Sequence, residues 1–285
     1  MGMFTKNDKV VEPQYLTSPV NNRVSNYRVY KMSLLEKLMY SVLFVIVGGA
    51  VGLVFYGGLF KSAGESTNAT HISDAVVFLV IGLIARKFLI PLRIKQLKNK
   101  RTKNLKAQFI EFLASLSTSL SSGMNINDSL KSVCKDLSLQ FSNDADIVLE
   151  VNELLSGMEN GIDIEIMLED FGTRSGIDDI SNFAKVFSIC YRTGGNLQQV
   201  VRRSSEIIRE KIMISEEIET MLTSNKTQFK AMNVVPIILM VMLRVMSRQF
   251  TESFASAIGV VAITFAIMIF VGAYMIGEKI MDIKG

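Results

Sequence analysis

The chain is short of the tools of catalysis. It has no Gly-x-x-x-x-Gly-Lys-Ser/Thr phosphate loop, no His-Glu-x-x-His pair and no Gly-x-Ser-x-Gly elbow. Its one histidine, His71, stands far along the chain from both cysteines. An intramembrane aspartyl protease needs two aspartates at its spans, and only Asp74 lies near one. Cys134 and Cys190 fall in a segment assigned below to the cytoplasm, where they read as small hydrophobes and not as a disulfide or a metal site. Tryptophan is absent altogether. No catalytic, cofactor-binding or metal-binding residue is expected, and any ATP used must be hydrolysed by a partner.

What the chain has in excess is apolar sequence in blocks. Of its 285 residues, 49% are apolar even without glycine, and they concentrate in a few runs, which favours membrane spans over one oversized core. Leu38 to Phe60 is a charge-free run of 23 residues, enough to cross about 30 Å of hydrocarbon. A second span is expected over about 72–92, where Arg86 and Lys87 can snorkel while Phe88 to Leu92 continue into the interface. A third is expected at about 229–247, bounded by Lys230 and Arg244 and bent at Pro236, and a fourth at about 253–277. No Asp, Glu or His lies mid-span, so neither a proton relay nor an ion path is expected. Small residues at Gly48 and Gly52, and at Ala255, Gly259, Ala262 and Ala266, suit close helix approach, either among these spans or between subunits.

Charge sets the orientation. The first 37 residues carry Lys6, Lys9, Arg23, Arg28, Lys31 and Lys37, whereas the loop after the first span carries only Lys61. Arg86, Lys87, Arg93, Lys95, Lys98, Lys100, Arg101, Lys103 and Lys106 then follow with no acid among them. Both termini and the segment between the span pairs are therefore expected inside. Arg244 and Arg248, at the last outer loop, run against that rule. The basic run reads as an anchor for anionic headgroups; without interleaved aromatics it does not read as a nucleic-acid surface. Residues 136–179 carry twelve acids against Arg174 alone, either a solvated face or a dock for a basic partner.

Residues 105–228 repeat apolar positions at helical spacing. The stripes are Phe109-Leu113-Leu116-Leu120, Ile126-Leu130-Val133-Leu137, Ile147-Val151-Leu154-Met158, Ile164-Met167-Leu168-Phe171, Ile180-Phe183-Phe187-Tyr191, and Leu197-Val200-Val201 with Ile207 or Ile208. Six amphipathic helices predict a compact bundle. Three junctions share one pattern, at Gly123-Met-Asn125, Gly161-Ile-Asp163 and Gly194-Gly195-Asn196-Leu197. Each glycine can end a helix in the left-handed conformation, and Asn125, Asp163 and Asn196 can cap the next, with Asp128 and Gln199 placed as in a capping box. This gives the pattern a complete structural account; the functional alternative is that the Gly194–Gly195 turn, beside Arg192, is an exposed contact loop. No Pro or Gly interrupts 198–230, so the sixth helix is expected to run on into the third span, with Ile207, Ile214, Ile218 and Met221 as a candidate two-helix seam broken by Lys211.

The fold class expected is all-α, with two transmembrane helices before and two after one cytoplasmic six-helix bundle. Its parts are a flexible N-terminal tail (1–37), two spans (38–92), the bundle (93–228), two spans (229–277) and a short tail (278–285). This arrangement, with its repeated glycine junctions and its Arg192-Thr-Gly-Gly-Asn-Leu197 block, resembles the type II secretion system F domain. The single domain between two span pairs looks like the inner-membrane platform proteins of tight-adherence (Tad, or Flp-type) pilus systems. The likeness covers about 105–245, roughly half the chain. It departs where members often carry Ser or Pro at the junctions, and at Ser204 and Ser205, where they show apolar or small residues.

The resemblance implies a non-enzymatic platform in the cytoplasmic membrane of a bacterium or archaeon. Its implied partners are a hexameric secretion or pilus ATPase, a related platform protein, pilin subunits and membrane lipids, in a homo- or hetero-oligomer, with Arg192, Gly194, Gly195 and Asn196 as the key turn. The rivals are a membrane subunit of an ATP-driven transporter, for which four spans are few, and a membrane-anchored sensor, for which the outer loops are short.

Overall fold

A computed structural model describes residues 12–58, 68–246, 253 and 256–281. Two short strands, β1 (Tyr15–Thr17) and β2 (Arg23–Ser25), precede eight helices: α1 (Leu34–Tyr56), α2 (Asn68–Ser121), α3 (Ile126–Gln140), α4 (Asp146–Glu159), α5 (Ile164–Ser175), α6 (Asp178–Arg192), α7 (Leu197–Met246) and α8 (Ala257–Met281). The described chain is helical apart from the one hairpin and the connections. Four of its helices, α1, α2, α7 and α8, are long and apolar enough to cross a membrane. The expected placements of Lys6, Lys9, Lys61, Arg248, Ala255 and the last four residues lie outside the described residues.

The chain divides into two units, one of residues 1–31 and 94–213, the other of 32–93 and 214–285. In the first, the C-terminal half of α2, helices α3 to α6 and the start of α7 enclose one apolar core. The inward stripes are those of the sequence: Phe109 and Leu113, Leu130 and Val133, Ile147 and Val151, Met167 and Phe171, Phe183 and Phe187, and Val201 are all buried. Phe109 is the hub, with the Phe112, Phe171 and Phe183 rings centred 5.5–6.1 Å away. The sixth stripe resolves onto Ile208, which is buried, while Ile207 is 41% exposed.

The expectation of a flexible N-terminal tail is corrected over residues 12–31. β1 and β2 pair antiparallel, with Leu16 opposite Val24 and Asn21 in the turn at φ 66°. Tyr27 is 2% exposed, and its amide donates to the Arg174 carbonyl at 3.0 Å. Three-residue strands carry too little alternation to be read from sequence; their order comes from what they pack against.

In the second unit α1 begins at Leu34, four residues before the apolar run. Ser33 and Glu36 form a reciprocal capping box there, with Glu36 N donating to Ser33 Oγ (3.3 Å) and Ser33 N to Glu36 Oε2 (3.0 Å). The contact between α1 and α2 is made by glycines. A Cβ on Gly48 would strike the Ala85 methyl, one on Gly49 the Phe78 ring, and one on Gly82 the Val45 carbonyl oxygen. The small residues of the first span therefore serve packing within the chain. Pro91 and Pro236 lie inside α2 and α7, both of which continue past them. Arg244, the cation that ran against the orientation rule, donates to the carbonyls of Leu53, Phe55 and Gly57 at 3.0–3.1 Å. The Leu53 carbonyl also takes the Gly57 amide at 2.8 Å, so Arg244 is a second donor there.

Candidate functional site

The three glycine junctions fold alike. Gly123, Gly161 and Gly194 have φ of 82°, 75° and 68°. After each, the next amide reaches back five residues: Met124 to the Ser119 carbonyl, Ile162 to Gly157 and Gly195 to Cys190, at 2.9–3.3 Å. The glycine amides themselves bond to Leu120, Met158 and Tyr191. This pair of bonds is the Schellman termination, and it uses carbonyls that the helix end would otherwise leave bare.

The caps that follow are not equivalent. Asn125 Oδ1 accepts from the Asp128 amide at 2.9 Å, and Asn196 Oδ1 from the Gln199 amide at 3.0 Å. The second half of the box is absent at Asn125, where the Asp128 carboxylate instead takes the Asn125 side-chain amide (2.8 Å). Asp163 makes no side-chain cap, contrary to expectation. The Ile166 amide it would have taken is already bonded to the Asp163 carbonyl at 3.0 Å, in a tighter first turn.

The turn at Gly194 is exposed from Arg192 through Asn196, with Leu197 half-buried. Arg192 Nε donates to Glu165 Oε2 at 2.6 Å, and Ser188 Oγ meets the same oxygen at 2.6 Å. The serine bond first, then the arginine, holds the Glu165 carboxyl below its ordinary range. On the other side of the turn, Gln198 Nε2 donates to Ser121 Oγ at 2.8 Å, tying the start of α7 to the end of α2. Behind the turn, α6 and α7 leave an open groove of about 640 Å³. Val186, Cys190, Val200 and Ile207 supply its apolar surface, and Arg202, Arg203 and Glu206 its rim. The two arginines approach Glu206 only to 3.6 Å and stay largely exposed, an arrangement that a partner's carboxylates can displace at little cost.

The basic run divides. Arg101 holds Asp146 through two bonds of 2.9 and 2.6 Å and lies 4.6 Å over the Tyr27 ring; Lys106 pairs with Asp179 at 2.7 Å. These two serve the bundle instead of the headgroups expected for them. Arg93 donates to the Tyr40 hydroxyl at 3.0 Å. Arg86, Lys87, Lys95, Lys98 and Lys100 have no ion-pair partner among the described residues.

Much of the acidic stretch is likewise used internally. Arg174 is 2% exposed and binds Glu150 through both terminal nitrogens, at 2.8 and 2.7 Å, and Asp170 through Nε at 2.6 Å. The N-terminal hairpin closes this pair off: Tyr27 Oη donates to Glu150 at 2.8 Å and the Ser25 carbonyl accepts from Arg174 at 3.2 Å. Burial pushes the Glu150 carboxyl up against the pull of Arg174 and the Tyr27 hydroxyl. Burial also works against the Arg174 charge, but Glu150 and Asp170 outweigh it and hold that charge firmly. Glu153 takes Ser18 Oγ and Asn22 from the hairpin turn. Sequence reasoning missed this network, although a lone arginine among twelve acids was its signal.

Four membrane-length helices and a helical unit with its own core, covered on one side by a short hairpin, define a multi-pass membrane protein of the helical class. Residues 112–245, a little under half of the chain, match the family described as Type II secretion system (T2SS), protein F. That stretch is similar to the domain found in membrane platform components of type II secretion and pilus-type machinery. Searches of curated proteins and of solved structures gave no match.

Proposed function

We propose that this protein is the non-enzymatic platform of a tight-adherence type pilus assembly system, in which it couples a cytoplasmic hexameric ATPase to the extrusion of pilin subunits. The observation that carries the reading is the family match over 112–245, which begins in the bundle part of α2 and ends in the apolar part of α7. In this reading the spans form pairs on either side of a cytoplasmic bundle, and both termini lie inside. The Arg192–Leu197 turn and the α6–α7 groove face the ATPase. Its arginines offer charge to an acidic partner, and its apolar surface offers burial. The third and fourth spans meet pilin membrane segments and a related platform protein. α7 spans 50 residues, from the turn into the apolar segment, and in this reading it is the link along the chain between the bundle and the third span.

The test is co-purification from membranes in mild detergent, with mass spectrometry of what is retained. Recovery of a secretion-type ATPase and a second platform protein is expected, together with loss of the ATPase in Arg202→Glu/Arg203→Glu, a surface change that leaves the core intact. Recovery of a nucleotide-binding transport subunit in their place would move the transporter reading to the front.

A further inference from the structure

Between α1 and α2 lies a second open groove, of about 450 Å³. It has the make-up of a lipid site. Leu34, Leu38, Val42, Val45 and Ile46 give it an apolar wall along α1, with Lys37 at one end and Arg86 reaching in from α2. Ser41 lines it as well, 9% exposed, and its hydroxyl is wholly enclosed with no hydrogen-bond partner. A serine in a membrane helix ordinarily bonds back to the carbonyl one turn earlier, and an enclosed hydroxyl left unbonded is costly.

The two cations are equally unspent. Among the described residues neither Lys37 nor Arg86 has an ion-pair partner. The nearest carboxylate in sequence, Glu36, is occupied by the Ser33 amide in the capping box. Arg86 stands six residues short of Leu92, where the second span is expected to end, which is about 9 Å along the helix axis. A guanidinium at that depth, with no ion-pair partner among the described residues, calls for an anion at the level of the interface.

We infer that this groove binds one anionic glycerophospholipid. Its phosphodiester sits between Arg86 and Lys37, the enclosed Ser41 hydroxyl rotates about χ1 to donate to a phosphate or ester oxygen, and an acyl chain lies along Leu38, Val42 and Ile46. Arginine suits the planar, two-oxygen face of a phosphodiester. Both walls belong to helices of membrane-crossing length and composition, so the apolar part of the groove is filled by an acyl chain, which an inorganic anion lacks. The site differs in kind from diffuse attraction of a basic stretch to a charged surface. It takes one molecule, in one place, through a hydroxyl as well as charge.

The chain has no tryptophan, so Val42→Trp installs a single emitter in the groove. The full-length variant is reconstituted with phosphatidylcholine and phosphatidylglycerol, one or the other brominated, at equal mole fractions. Stronger quenching by brominated phosphatidylglycerol is expected. Arg86→Gln should weaken that preference roughly tenfold, the loss of one charge-assisted contact. Lys31→Gln, which removes the same charge just before α1, should leave it intact. Equal quenching by the two lipids, or a preference unchanged by Arg86→Gln, would overturn the proposal. So would absence of quenching by either, since a protein would then cover the groove. A parallel measurement needs no tryptophan: native mass spectrometry of the unaltered chain should show one retained phosphatidylglycerol that is lost in Arg86→Gln and reduced in Ser41→Ala, and retention by Arg86→Gln would refute the site.

Discussion

Arg174 sits where a cation is most expensive to strand. Its partners Glu150 and Asp170 surround it, the Tyr27 hydroxyl completes the shell, and water is shut out. Replacing the pair by matched apolar side chains could be neutral, but removing one partner leaves a buried charge. Glu150→Leu should therefore destabilise the bundle by about 3–5 kcal/mol, read as a shift in the denaturant midpoint. Asp179 is a gentler case. Burial opposes its charge, but Lys106 and Lys211 prevail and keep the carboxyl below its ordinary 3.8. A lowered carboxyl stabilises the fold above its unfolded value and loses that contribution as pH falls through the folded one. The bundle should accordingly soften below about pH 4. Asp179→Asn should remove that part of the acid sensitivity at a cost of about 1 kcal/mol at neutral pH. A denaturation series across acidic pH separates the two proteins.

Among the elements, the junctions give the sharpest contrast. A Cβ at Gly194 would meet nothing within 4 Å, so Gly194→Ala pays only for the left-handed backbone, about 1–2 kcal/mol. At Gly195 the new methyl would lie 2.8 Å from the Cys190 sulfur, and the side chain must move. If the turn is purely a helix stop, Gly194→Ala should lower thermal stability while ATPase retention stays normal at permissive temperature. Loss of retention in a folded variant would mark a contact loop. The six bundle helices were legible because each presents a stripe at helical spacing to one core, and the glycines between them are required by backbone conformation. The helix bounds were less so. α2 runs on through Pro91 far past the expected end of the second span, and α7 runs through Pro236, where a bend is expected. The hairpin left no pattern at all, since Tyr15–Thr17 and Arg23–Ser25 draw their order from Glu150, Glu153 and Arg174, residues more than 100 positions away.

At the scale of the whole molecule, the chain passes between its two units three times, at residues 31–32, 93–94 and 213–214. The inside placement of the bundle expected from the lysine and arginine bias can be tested with the native cysteines. Cys190 is half-buried beside the Gly194 turn. An impermeant maleimide should leave it unmodified in intact cells and label it in inverted vesicles; the reverse would turn the protein over in the membrane. The lone histidine and the missing nucleotide motifs pointed away from enzymes, and the family match over 112–245 agrees with a platform role.

The hairpin of residues 12–31 also bears on how such a domain is passed between proteins. The family match starts at 112, after Leu105 and Phe109 have already entered the core and long after Tyr27 has sealed the Arg174 pair. A transplant cut at the edges of the match would leave behind part of its own centre and the cover of the buried Arg174. The folded unit is discontinuous: residues up to 31 and residues 94–213 build it together, with two helices long and apolar enough to cross a membrane coming between them in the chain.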